Sequence, residues 1–343
     1  MVFPLIIITI GTIFLLKKLI EIDMAVNRSE HLDNVLETYR MSHIDDLVTK
    51  HKKKRDEIKE ALEEKYKSDI YSPFNSGSFG KHSAINIKFD LDIVVPFKRN
   101  SFETIDKMYN DVYEFLSEKY NESATVRKQK VSIGILFHED KDGDEINIDV
   151  VPGRELTKDT YLDERDLNIY FNDNAWGFTK GSYTKTNIQA QIDHIKAKET
   201  ERKIIRLFKV WKNTNNEKYK SFLLELLTIK AFDKATISGN LWEKLKGVMT
   251  YIKDNVTKED FTLKDPGNSN NDVIKSLESW ERQNLSDRMK TIIDRIEDNS
   301  ENIKTYFPIN EEFKKDEKSS SNSYGLKEAS AGPSIPSNNQ RFG

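Results

Sequence analysis

The sequence predicts an α+β protein: a β-sheet enclosed by helices, followed by a second half that is almost wholly helical. Three observations carry this reading. Apolar residues recur at three- and four-residue steps from about Ser29 to Lys67, alternate with a period of two between Tyr71 and Pro152, and return to helical steps after Leu167. At 343 residues the chain is long enough for two domains of ordinary size.

At the start, VFPLIIITIGTIFLL (2–16) is uncharged and precedes Lys17 and Lys18. As a helix it would rise about 22 Å, short of a ~30 Å hydrocarbon core. No basic stretch precedes it and no small-residue cleavage site follows, so a secretory signal fits poorly. Two readings stay open. One is a short anchor giving membrane contact through residues 2–16, with the body on the cytoplasmic side as the lysines favour. The other, which fits better, is an upstream start with translation beginning at Met24.

Between Ser29 and Lys67 there is no proline or glycine, and Leu32, Val35, Leu36, Tyr39, Ile44, Leu47 and Val48 form a helical stripe. The run HKKKR (51–55) reads as a solvated helix face rather than a nucleic-acid patch. The period then changes. Phe89, Leu91, Ile93 and Val95 alternate with Asp90, Asp92 and Val94; Val131, Ile133, Ile135 and Phe137 with Ser132, Gly134 and Leu136. Ile146, Ile148 and Val150 alternate with Asn147 and Asp149. These predict three strands of one half-buried sheet. KDGD (141–144) suits a hairpin turn joining the last two, and a helix over roughly 101–120 links the first to the second.

Lys185 to Lys212 carries a long helical stripe ending in IIRLFKVWK. SFLLELLTIKAF (221–232) is apolar nearly all round, which predicts a buried core helix. Amphipathic segments near 241–255 and 272–296 follow. Beyond Phe313, Lys, Ser, Asn, Gly and Pro dominate, predicting a disordered tail over 314–343.

Composition excludes several chemistries. The chain has no cysteine, which removes disulfides, thiolate-bound zinc and thiol nucleophiles together. Its six histidines show no paired ligand spacing, so a metal here is expected to be hard and oxygen-bound. A net charge of −3 argues against a broad polyanion-binding surface.

The aspartates point to one chemistry. Side chains two apart on a strand share a face, so Asp90 and Asp92 project together, and Asp149 holds the same kind of position on another strand. If those strands are neighbours, three anions converge and repel one another unless a cation joins them. Such donors suit Mg²⁺ or Mn²⁺, and a pair of these ions is the usual clamp for in-line displacement at phosphorus. A bare D-x-D is commonly just the wet face of an edge strand. Here it follows Gly77-Ser78, and a later strand ending in DVVP supplies the third acid. Gly77 lets backbone approach an anion, and Ser78 adds a hydroxyl and an amide at a helix start, a grip suited to nucleotide phosphates.

Together, G-S, D-x-D and the later single Asp resemble the nucleotidyltransferase superfamily related to DNA polymerase β. IIRLFKVWKNTNNEKYKSFLLELL (204–227) is similar to the helical half of the oligoadenylate synthase and cyclic GMP–AMP synthase branch. Length and tail are most similar to the bacterial CD-NTases, the signal-making enzymes of CBASS anti-phage systems. The resemblance covers about residues 25–310. It implies a polymerase β-like mixed-sheet core with an N-terminal spine helix (24–165), a helical nucleotide-binding lobe (166–313), an apolar segment ahead (1–23) and the tail behind. Nucleotides would lie between core and lobe.

The resemblance further implies a cytoplasmic, Mg²⁺-dependent enzyme that joins ribonucleotide triphosphates into a cyclic di- or trinucleotide, releases pyrophosphate and signals to a downstream effector. Asp90, Asp92 and Asp149 would hold two Mg²⁺ ions, replaceable by Mn²⁺, with Asp149 helping to remove the acceptor hydroxyl proton. Gly77 and Ser78 match the phosphate-gripping turn. Lys209 and Ser221 match donor-triphosphate contacts, against plainer readings as an exposed lysine and an N-cap. Base recognition is expected within 170–190, where Tyr183, Thr186 and Asn187 are candidates and Trp176 is a hinge or core anchor. The zinc thumb of the animal enzyme needs cysteines, so no DNA requirement is expected. The terminal Gly343 suits modification by the ubiquitin-conjugation-like enzymes of many CBASS operons. Two alternatives remain: a linear 2′–5′ oligoadenylate synthase or a transferase acting on an RNA end or small molecule, and a catalytically dead nucleotide-binding module. The second predicts decay of the acids, and all three are present.

Overall fold

The computed structural model describes residues 26–138, 141–172 and 182–314. The apolar run 2–16, Met24, Trp176 and the tail with Gly343 lie outside the described residues.

The long N-terminal helix expected from the unbroken pattern is two helices. Helix α1 (Arg28–Thr38) starts at Asn27, whose side chain accepts the Glu30 N–H; α2 (Asp45–Tyr66) follows a short 3₁₀ turn over Met41–Ile44. The halves serve different cores. Leu32, Val35 and Tyr39 pack with Phe208 and Trp211 of the helical lobe, whereas Ile58, Leu62 and Tyr66 pack under the sheet. Periodicity reports that a stripe is apolar, not which core it meets.

Seven strands form the main sheet among the described residues. They are β1 (Phe74–Ser76), β2 (Leu91–Phe97), β3 (Ala124–Lys128), β4 (Ile133–Phe137), β5 (Ile146–Glu155), β6 (Leu167–Phe171) and β7 (Ser182–Thr186). Five run in spatial order β1-β2-β5-β4-β3, and β6 and β7 extend the sheet from the far end of β5. Only β2 and β5 pair in parallel, so the sheet is mixed. A parallel pair needs a long crossover, and helix α3 (Ile105–Lys119), capped by Thr104, lies within it. The pairing of β4 with β5 is antiparallel, as a turn over 141–144 requires.

One sheet face carries Leu91, Ile93, Val95, Phe97, Ile148 and Val150 into the core beneath α2 and α3. The opposite face is not simply wet. Val94 and Val151 are buried there with Tyr161 and Leu167, so every residue of β2 is buried. Burial of each such aliphatic side chain contributes about 1.5–3 kcal/mol, and this double covering makes β2 a rigid platform.

The helical lobe comprises α4 (Ile188–Lys196), α5 (Glu199–Thr214), α6 (Ser221–Lys234), α7 (Leu241–Asn255) and α8 (Ser279–Asp298). The stripe expected over 185–212 therefore starts in β7 and breaks at Ala197–Lys198. Helix α6 buries Leu223, Leu224, Leu226, Leu227 and Ile229, as its composition predicts. Among the described residues, no helix is long and apolar enough to cross a membrane.

Candidate active site

The parallel register of β2 and β5 sets Asp92 directly beside Asp149. Both side chains are almost fully buried, at 3% and 1% exposure, on the face opposite the aliphatic core. Asp90 lies just ahead of β2, in a segment outside the ladder, and is only partly buried. It is close enough for its charge to act on Asp92. Burial first, then the charges of Asp90 and Asp149, push the Asp92 carboxyl well above the ordinary carboxylate range.

Among the described residues, no three acidic, histidine or cysteine side chains stand together as a ready metal cage. Strand register sets the Asp92–Asp149 pair, and Asp90 lies in the loop just ahead, outside the strand pairing. The pair nonetheless fits a hard cation. Its donors are all oxygen, and Asp92 Oδ1 is buried yet accepts no hydrogen bond from any described residue. A buried acceptor left in that condition is costly unless a cation or proton compensates it.

The glycine-serine turn abuts this pair. Ser76 in β1 registers with Asp92, and Gly77–Gly80 then form one helical turn. Gly77 has φ +60°, and a Cβ there would stand 1.6 Å from Asp92 Oδ2. Glycine is thus required twice, by backbone conformation and by the approach of the carboxylate. Ser78 follows on the same turn.

Cations reach the site from beneath that turn. Lys81 donates to Gly77 O through its N–H at 3.2 Å, and its Nζ meets Glu225 Oε1 of α6 at 2.8 Å, 4.6 Å from the Phe222 ring centre. Lys81 and Glu225 are both buried. Lys209, on α5, is buried rather than exposed, and its Nζ donates to the carbonyl (2.8 Å) and hydroxyl (3.2 Å) of Ser83. Burial lowers its pKa to about 8, against a raising influence from Glu225. Both lysines in turn pull the Asp92 pKa down.

Ser221 opens α6 but does not cap it; Lys220 holds the cap position. Lys212 donates to Ser221 Oγ at 3.2 Å, so the lysine beside that serine is Lys212 and not Lys209. Tyr183, on β7, is 66% exposed; Thr186, on the same strand, is buried. Asn187 caps α4: its Oδ1 accepts the Ala190 N–H, and its Nδ2 donates to Glu164 O and Asp166 Oδ1. Its amide is therefore committed within the fold.

Sequence reasoning did not single out Lys81, Ser83, Lys212, Glu225 or Gln129, the last of which donates to Asp149 Oδ1 at 2.9 Å. One signal was available. Glu225 is a lone acid in the otherwise apolar run FLLELL, and a charge in such a helix is tolerated only with a buried partner.

Residues 24–166 match the Second Messenger Oligonucleotide or Dinucleotide Synthetase (SMODS) domain. The CBASS oligonucleotide cyclase CdnC of Escherichia coli strain KTE188 is 25% identical over 249 residues, spanning 68% of this chain and 70% of that protein. Among solved structures, CdnC of E. coli MS115-1 with ATP superposes with a TM-score of 0.63 at 18% identity, over 81% of this chain and 95% of that one. The CD-NTase CdnG of Bradyrhizobium diazoefficiens, in complex with GTP, gives 0.63 at 13% identity, over 82% and 95%. Both share the fold described above.

Proposed function

We propose that the chain is a polymerase β-like nucleotidyltransferase of the CD-NTase family that joins ribonucleotide triphosphates into a cyclic di- or trinucleotide messenger in CBASS-type defence. The observation that carries the site assignment is the parallel pairing of Asp92 with Asp149, with Gly77 pressed against Asp92. In the reaction, a ribose hydroxyl of one nucleotide attacks the α-phosphorus of another, the bond from that phosphorus to its bridging oxygen breaks, and pyrophosphate leaves. The last such step, the second for a dinucleotide and the third for a trinucleotide, joins the two ends, closes the ring and releases a further pyrophosphate.

Two Mg²⁺ ions, or Mn²⁺ in their place, would be held by Asp92 and Asp149 with Asp90 joining from the preceding loop, and when bound would supply a lowered hydroxyl pKa and charge neutralisation at the phosphates. The chain's own groups do the rest. Ser78 and the amides of the Gly77–Gly80 turn grip the donor phosphates, and the absent side chain at 77 lets Asp92 stand directly against that turn. Ser221 and Lys212 contact the triphosphate from the helical lobe, and Lys209 supports the turn through Ser83 while adding positive potential from below. Asp149 accepts the proton of the attacking hydroxyl. Tyr183 offers an exposed ring on which a base can stack.

Substrate nucleotides are supported by the ATP and GTP of the CdnC and CdnG complexes. We assign the protein to the cytoplasm, where those triphosphates are found. Conjugation at Gly343 and a nucleotide-activated effector complete the proposal. The test is product analysis. Protein spanning Met24–Gly343 is incubated with all four ribonucleotide triphosphates and Mg²⁺, treated with phosphatase and examined by mass spectrometry beside an Asp90→Ala/Asp92→Ala control. A phosphatase-resistant cyclic product lost in the control is expected. Linear products alone would replace this reading with a linear synthase.

A further inference from the structure

Asp149 is not oriented by the sheet alone. Gln129, in the loop between β3 and β4, donates from Nε2 to Asp149 Oδ1 at 2.9 Å and accepts at Oε1 from Ser132 Oγ, also at 2.9 Å. The direction of this relay is forced. An ionised carboxylate only accepts, so the amide nitrogen must face Asp149, and the amide oxygen then faces a hydroxyl able to donate. The loop beneath is held separately. Gln129 N–H donates to Ser132 O at 2.9 Å, and the buried Tyr109 hydroxyl lies 2.8 Å from Ser132 O and 3.0 Å from Gln129 O. Backbone and α3 therefore keep residue 129 in place whatever its side chain is.

We infer that Gln129 is a positioning residue for the nucleotidyl transfer, fixing the plane of the Asp149 carboxylate for cation and hydroxyl while leaving its charge intact. Neutrality is the point of the amide. A lysine or arginine at 129 would orient the carboxylate but cancel the charge that a divalent ion needs; a glutamate would repel it. Partners of ligating carboxylates commonly change metal affinity or activity by about 10–100-fold when removed. The inference rests on the function proposed above, in which Asp149 ligates a cation and accepts a proton.

Gln129→Leu, Gln129→Glu and Ser132→Ala test it, with Mn²⁺ titrated by electron paramagnetic resonance without nucleotide, and kcat and KM measured by pyrophosphate release. Gln129→Leu should bind Mn²⁺ about tenfold or more weakly and lose kcat by a similar factor, with KM for the triphosphate unchanged. Gln129→Glu should be worse than Gln129→Leu, although it is closer to glutamine in shape. Ser132→Ala, which frees the amide to turn, should show a smaller loss in the same direction. Wild-type Mn²⁺ affinity and kcat in Gln129→Leu would overturn the inference, as would losses in kcat that merely track a fall in melting temperature. If the wild-type protein makes no product, the proposed function fails, and the Mn²⁺ titration still decides whether Gln129 acts on Asp149.

Discussion

Replacing Gly77 with alanine should separate a strained backbone from a dismantled site. At φ +60° the new Cβ would stand 1.6 Å from Asp92 Oδ2. The left-handed conformation costs alanine about 1 kcal/mol. An ordinary contact begins near 3.4 Å, so the carboxylate must retreat by well over 1 Å (about 1 kcal/mol more if it leaves its rotamer). Together, about 2 kcal/mol lowers the melting temperature of a chain this size by roughly 3 °C. Activity should suffer more, since a ~1 Å misplacement of a reacting group costs about 100-fold. Gly143 supplies the control: it also has positive φ, +76°, but a Cβ there meets no described residue within 4 Å. Gly143→Ala should therefore lose ~1 kcal/mol of stability and turn over like wild type. Pyrophosphate release and thermal melts of both variants, run in parallel, are the assay. If Gly77→Ala keeps a kcat near that of Gly143→Ala, the close approach of Gly77 to Asp92 has no part in catalysis.

The other predictions concern buried charge. Asp92→Asn removes a carboxylate whose ionisation burial and two acidic neighbours oppose. Its melting temperature in chelator should equal or exceed wild type while product falls about 10³-fold; a marked drop in melting would refute this. Lys81→Met leaves Glu225 buried without its cation and should cost about 3–5 kcal/mol in urea unfolding, whereas Lys81→Met/Glu225→Leu should recover most of it. Equal stability of the single and double variants would mean that the pair is not a closed, desolvated one. Lys209 titrates near 8 in the folded protein against an ordinary 10.5. The unfolded chain therefore holds more protons between those values, and Lys209 makes stability rise as pH climbs from about 8 towards 10.5. KM for the triphosphate should rise as pH passes through about 8, where the folded protein loses the Lys209 charge, and Lys209→Arg should remove that trend. A pH-independent KM in wild type would argue against any electrostatic role for Lys209.

Local pattern carried the elements, and it failed where two parts of the chain had to meet. Alternation from Phe89 to Val95 marks a strand whichever strand lies beside it, yet nothing in it says that Val94 will be buried by Tyr161 and Leu167. The apolar stripe of residues 29–67 continues through Tyr39–Ile44 because both halves are amphipathic, although they face different cores. Strand β1 has too few residues to stand out, and β6, although Leu167, Ile169 and Phe171 alternate, opens the stretch that reads as helical from the sequence. Helical spacing alone leaves Lys209 readable as an exposed lysine; its burial depends on Ser83, 126 residues away.

The sequence by itself determined that two acids stand two residues apart where a strand begins, that a glycine-serine turn precedes them and that a third acid lies on a later strand. Those are properties of neighbouring residues, set by the two-residue period of a strand and the conformational freedom of glycine. Only the tertiary structure decided that β2 and β5 are parallel neighbours, which puts Asp92 against Asp149 and leaves Asp90 in the loop ahead. It also decided that Lys81 finds Glu225 across 144 residues and that Gln129 reaches Asp149. Strand pairing and the matching of buried charges depend on which surfaces meet when the chain collapses, and a one-dimensional pattern records the apolar face of each element but not its partner.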